Sequence, residues 1–157
     1  MRRSYVKRTR IPATAQAVFD WHEHPDAFKQ LTPPWERVRV LRRQGGIRDG
    51  ASLSLLVGPM PFALRWDLRH HSYRYGSEFT DEQVAGPFKV WRHTHRMIPE
   101  GDEACVLEDA IDYELPFGRI GHCLGGAYIR SKLNRLFTFR HDVTRQQFAP
   151  TSKASTT

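Results

Sequence analysis

The chain has 157 residues, of which 39% are hydrophobic and 11% aromatic; this favours one domain with one core and excludes a disordered polymer. No apolar run approaches the ~18 residues needed to cross a bilayer, so no membrane span is expected. The net charge of +7 is carried by arginines scattered in alternation with apolar residues, as in "ERVRVLRR" and "ALRWDLRHH"; this reads as the solvated face of a sheet, and no nucleic-acid partner is expected.

"SYVKRTRI" (4–11) alternates and is predicted as a strand ended by Pro12. Thr14 is a good N-cap for "AQAVFDWHEH", with Val18, Phe19 and Trp21 as its apolar stripe, and a second short helix, "DAFKQL", follows Pro25. From Trp35 the period becomes two. Strands are expected at 35–43, 51–57, 62–73, 78–85, 88–98 and 104–114, separated by the turn-rich "GGIRDG", "GPMP", "RYGS", "AGP" and "PEGDE". Short strands with tight turns imply an antiparallel meander, because parallel strands need long crossovers. Residues 120–147 suit a long helix that lays Leu124, Ala127, Leu133, Leu136, Phe137 and Val143 on the sheet. The expected fold is α+β: a curved seven-stranded antiparallel sheet around a C-terminal helix, two short helices after the first strand, and a cavity between helix and sheet. Residues 1–148 are read as one domain and 149–157, "APTSKASTT", as a disordered tail.

The basic N-terminus has no apolar stretch after it, so it is read as mature protein and not as a signal peptide. Cys105 and Cys123 form neither a disulfide framework nor a CxxC site, which fits a reducing, cytoplasmic setting. Nothing in the sequence specifies an oligomeric state.

The segment "KVWRHTHRM" (89–97) is the chemically distinctive one. Arg92, Thr94 and Arg96 belong in water, so alternation turns Trp91, His93, His95 and Met97 inward. In the next strand Leu107, Asp109, Ile111 and Tyr113 form the more apolar face. A hairpin centred on Asp102 sets Met97 opposite Leu107, His93 opposite Ile111, Trp91 opposite Tyr113 and His95 opposite Asp109, the last pair within hydrogen-bonding reach. A buried carboxylate needs a partner, and His95 is the expected one. The trio His93, His95 and Asp109 has three readings: a polar network fixing register, a recognition point for the polar end of an apolar ligand, or acid–base or metal chemistry. Two histidines and an aspartate can bind zinc or iron, but no fourth ligand stands at motif spacing, so neither a metal nor a cofactor is expected.

"FTDEQ" puts Phe79, Asp81 and Gln83 on one face, and "FALRWDL" puts Phe62, Leu64, Trp66 and Leu68 in an inward row continuing to His70. Arg140 and His141 are read as a solvated helix face, with contact to an inward carboxylate such as Asp81 as the alternative.

The stretches "FTDEQVAGPFKVWRHTHRM", "LEDAIDYELPFGRIG" and "LNRLFTFRH" resemble a bacterial ligand-binding, cyclase/dehydrase-like subfamily of the SRPBCC superfamily, the START-related and pollen-allergen-like helix-grip proteins. The resemblance covers residues 4 to 148 and departs at Met97, where Phe is expected. It implies a helix-grip fold and a small hydrophobic ligand, such as a lipid, an isoprenoid or an aromatic polyketide-like compound, held between sheet and helix. The expected lining is Phe62, Leu64, Trp66, His70, Phe79, Asp81, Gln83, Trp91, His93, His95, Asp109, Tyr113, Leu124, Leu133 and Phe137. The alternative function is a cyclase, dehydratase or hydrolase that uses His95 with Asp109.

Overall fold

The computed structural model describes residues 1–149, excepting the side chains of Gly118, Arg119, His122 and Leu124. The expected lining residue Leu124 and positions 150–157 of the expected tail therefore lie outside the described part. Strand β1 (Arg2–Ile11) leads into helices α1 (Ala15–Glu23) and α2 (Ala27–Gln30). Strands β2 (Val38–Gln44), β3 (Ser52–Val57), β4 (Leu64–Arg74), β5 (Glu78–Ala85), β6 (Val90–Pro99) and β7 (Cys105–Glu114) follow, and helix α3 (Gly118–Gln147) closes the fold. The seven strands form one antiparallel sheet in the order β1-β7-β6-β5-β4-β3-β2. A meander plus the return of β1 beside β7 produces this order. Among the described residues, no helix is long and apolar enough to cross a membrane.

Local signals set most boundaries. The Thr14 side chain accepts from the Ala17 amide and starts α1, as its N-cap position requires. Pro33 and Pro34 delay β2 to Val38, later than the alternation from Trp35 predicts. Trp35 instead packs edge-on against Phe139 of α3, under the guanidinium of Arg135. The β6–β7 register pairs Trp91 with Tyr113, His93 with Ile111, His95 with Asp109 and Met97 with Leu107.

The two faces differ in kind. The outer face carries a chain of ion pairs running across the strands: Arg8 to Glu108, Glu108 to Arg96, Arg96 to Glu78 and Glu78 to Arg74. This is where the alternating arginines go. On the inner face, one apolar cluster under α3 contains Tyr5, Leu55, Leu68, Ile111, Leu133 and Phe137. A second, under α1, contains Ile11, Val18, Phe19, Phe79, Met97 and Leu107.

Helix α3 packs chiefly on β1, with a lighter contact to β7. The start of β4, at the opposite side of the sheet, is therefore left without a cover. Phe62 lies before the strand, in the β3–β4 turn, and is 80% exposed, while Leu64 is 56% exposed. The expectation that both line the interior is corrected on this point: the inward row begins at Trp66.

Phe137 packs against Tyr5 and is fully buried. Phe137→Ala should cost about 3–5 kcal/mol in urea unfolding, whereas Phe62→Ala should change stability by less than about 0.5 kcal/mol.

Candidate functional site

Between the two apolar clusters a belt of polar side chains crosses the inner face. It is built from His70 on β4, Asp81 on β5, His93 and His95 on β6, and Asp109 on β7, all buried except His95, whose side chain is 12% exposed. Strand alternation puts these five residues on the inner face of four adjacent strands, two of them on β6. Helix α3 adds His141 and helix α1 adds His22, both buried.

Asp109 is the hub. Its Oδ1 accepts from Nε2 of His93 at 2.9 Å, and its Oδ2 accepts from Nε2 of His141 at 2.8 Å. The other ring nitrogen of His141 meets the Thr9 hydroxyl at 2.8 Å, so this one ring joins α3, β7 and β1. His95 Nδ1 is 2.8 Å from Asp109 Oδ1 but lies out of line for a hydrogen bond. The directed bond of His95 runs from Nε2 to Asp81 Oδ2 at 3.3 Å. Register thus brings His95 to Asp109, while the directed bonds to that carboxylate come from its diagonal neighbour His93 and from the helix.

Asp81 is the second carboxylate. Its Oδ2 also lies 3.1 Å from His93 Nδ1, and its Oδ1 accepts from the Trp91 indole at 3.2 Å. His93 sits between both aspartates, and its ring is 3.7 Å from that of His95, centroid to centroid. Phe79 stacks on His95 at 4.2 Å, and Phe137 meets His93 edge-on at 5.0 Å.

The electrostatics follow from this packing. Burial opposes charge on both aspartates, but the adjacent imidazoles outweigh it and hold both carboxyls well below the usual carboxylate range. Burial likewise opposes charge on His93, yet Asp81 and Asp109 on either side push its pKa up to about 9. Burial draws His70 down, with Asp81 opposing it. His22 is the reverse of His93: burial lowers it to about 4, only partly offset by its 2.8 Å hydrogen bond to the Val18 carbonyl.

His141 corrects the reading of the Arg140–His141 stretch as solvated. Leu133, Phe137 and His141 repeat every four residues, and all three are buried, so the histidine continues the stripe that faces the sheet. Its carboxylate is Asp109, not Asp81. Arg140 is half-buried, donating from Nε to the Leu31 carbonyl. His22 follows Val18 by the same spacing in α1. Gln83 is half-buried and serves the β5–β6 turn, donating to the Phe88 carbonyl at 2.6 Å and accepting from the Phe88 amide.

Phe88, absent from the expected lining, belongs to an aromatic wall beside the belt. Trp66 meets Trp91 at 4.9 Å and Phe88 at 5.6 Å, and Phe88 meets Trp91 at 4.8 Å and Tyr113 at 6.2 Å. The buried Nε1 of Trp66 and Nδ1 of His70 have no hydrogen-bond partner among the described residues. Between α3, the β3–β4 turn and the segment before β2 lies an open cleft of about 380 Å³, lined by Trp35, Glu36, Arg37, Gly58, Pro59, Lys132 and Arg135.

Residues 11–136 match the family model described as polyketide cyclase / dehydrase and lipid transport. The chain belongs to that family, and its fold is the helix grip. No match is found among curated proteins. Among solved structures, the Zhui aromatase/cyclase from Streptomyces sp. R1128 superposes with a TM-score of 0.73 at 14% identity, covering 94% of this chain and 93% of that one. A point mutant of norcoclaurine synthase from Thalictrum flavum, in complex with a transition-state analogue, gives 0.72 at 12% identity, covering 94% of both chains. The nucleoside-diphosphate sugar epimerase from Corynebacterium glutamicum gives 0.67 at 24% identity, covering 90% of this chain and 28% of that one. At these identities the likeness is one of fold.

Two measurements probe the belt. Because the folded pKa of His22 lies below its ordinary value, its stabilising contribution is complete above ~6.5 and is lost as pH falls toward 4. Urea unfolding should show about 2 kcal/mol of this loss by pH 5, and His22→Gln should flatten that slope. Asp109→Asn leaves the neighbouring imidazoles without their shared carboxylate and should cost about 3 kcal/mol or more at pH 7.

Proposed function

We propose that the chain binds a small hydrophobic molecule (a lipid, an isoprenoid or an aromatic polyketide-like compound) in the groove between the sheet and α3. The observation that carries this reading is the aromatic wall of Trp66, Phe88, Trp91 and Tyr113 lying directly against a buried polar belt. An apolar body would contact the wall, and a hydroxyl, carbonyl or carboxylate would reach His70, His95 or the unpaired Trp66 indole N–H. A buried donor without a partner costs about 1–3 kcal/mol, which a ligand acceptor would recover. Support also comes from the off-centre seat of α3, which packs chiefly on β1 and leaves the start of β4 uncovered.

A second reading, acid–base turnover of such a ligand, is favoured by one observation: His95 is the least buried member of the belt and touches both carboxylates.

Native mass spectrometry of protein from its own host should show a co-purifying apolar ligand, and a fluorescent fatty acid or flavonoid should compete for the same site. Trp66→Ala should weaken that binding about tenfold, equivalent to about 1.4 kcal/mol. Absence of any bound apolar species, together with no probe binding, would overturn the proposal. His95→Gln separates the two readings: binding retained with turnover lost marks an enzyme, and no turnover in either protein marks a carrier.

A further inference from the structure

We infer that Asp81, His93 and His95 form a binding site for a divalent first-row transition metal ion, with Asp109 and Trp91 as the groups that orient its ligands. One ligand atom from each of the three residues lies within 4.8 Å of the other two. Asp81 Oδ2 is 3.1 Å from His93 Nδ1 and 3.3 Å from His95 Nε2. Ligand atoms around a tetrahedral zinc at 2.0–2.1 Å stand about 3.3 Å apart, so these two separations need little adjustment.

What distinguishes this trio from an ordinary polar cluster is the disposition of its remaining polar atoms. Two of the three inward atoms have their opposite number hydrogen-bonded by another group, and the third has its opposite number beside a carboxylate. Asp81 Oδ1 accepts from the Trp91 indole, which leaves Oδ2 for the centre. His93 Nε2 donates to Asp109 Oδ1, which leaves the Nδ1 lone pair for the centre. His95 Nδ1 rests 2.8 Å from the same Asp109 oxygen, with Nε2 directed to Asp81. A carboxylate behind each metal-binding imidazole is the arrangement that fixes its tautomer and raises its basicity. The ring planes are held as well, by Phe79 stacked on His95 and Phe137 against His93.

Charge and donor type agree. Two carboxylates meet here, and among the described residues no Lys or Arg forms a salt bridge with either. The cations in contact with the pair are imidazoles, with the Arg140 guanidinium acting on both carboxylates from further off, so a divalent ion would take the place of protons on the imidazoles. Two imidazoles and one carboxylate suit zinc or iron(II) better than calcium or magnesium, which take oxygen. Three protein ligands leave a coordination position for water or a polar atom of a ligand. The sequence could not supply this set, because the third ligand comes from β5 and not from the His–Asp hairpin. The inference is independent of the hydrophobic-ligand reading.

The test uses the untagged chain, stripped with a chelator and titrated with Co²⁺, followed by visible absorption, with zinc content measured after reloading. One ion per chain is expected, with ligand-field bands of a low-coordinate site. His95→Gln, at the least buried position, should weaken binding by at least about 100-fold, since even orienting groups contribute 10–100-fold. Asp81→Asn should do the same, with circular dichroism to verify the fold. His71→Gln, whose ring pairs with Glu82 on the outer face, should leave binding unchanged. Substoichiometric binding by folded protein, or binding that survives both His95→Gln and Asp81→Asn, would overturn the site and leave the three residues as a proton-filled network.

Discussion

Two carboxylates buried at the middle of the inner face are the constraint around which this structure is arranged. An aspartate in that position costs several kcal/mol unless every oxygen is met by a donor. Asp109 meets the demand by drawing one imidazole from β6 and one from α3. Asp81 meets it with an imidazole and an indole from β6. These directed bonds act where apolar packing is permissive. A one-residue slip of β6 against β7 would leave both carboxylates unsatisfied, so the register is fixed by charge as well as by hydrophobicity.

The same bonds place the helix. His141 reaches Asp109 and Thr9 at once, which seats the C-terminal half of α3 over β7 and β1. Phe137 and Leu133, one and two turns earlier, belong to the apolar cluster on that side. The far strands, β3 and β4, are then covered mainly by their own inward residues and by the aromatic wall. An asymmetric cover over a seven-stranded sheet leaves the start of β4 exposed, on the side away from the anchored helix.

Much of this was legible in the sequence, for identifiable reasons. The antiparallel meander and the β6–β7 register follow from period-two alternation and tight turns, and the long helix from its apolar stripe, all local signals; the return of β1 beside β7 is a non-local pairing that they do not specify. Inward histidines follow from Arg92 and Arg96, whose place in water leaves the alternate positions no choice. Phe62 was misread because alternation cannot say where a sheet ends or where its covering helix stops. His141 was misread because a polar residue in a helical stripe looks solvated until the carboxylate it reaches is known. The pairing of Asp81 with His93 and His95 required the β5–β6 register, which the "AGP" turn and its Gln83 clasp determine only in three dimensions. Phe88 entered the wall by the same route.

The role of Asp109 as the shared acceptor of a strand histidine and a helix histidine is open to direct observation. In a long-range proton–nitrogen spectrum of ¹⁵N-histidine-labelled protein near neutral pH, His93 and His141 should each show a slowly exchanging, hydrogen-bonded Nε2–H. Both signals should shift together when Asp109 is replaced by Asn. Rings that exchange freely with water, or that do not respond to that replacement, would contradict the account and with it the anchoring of α3.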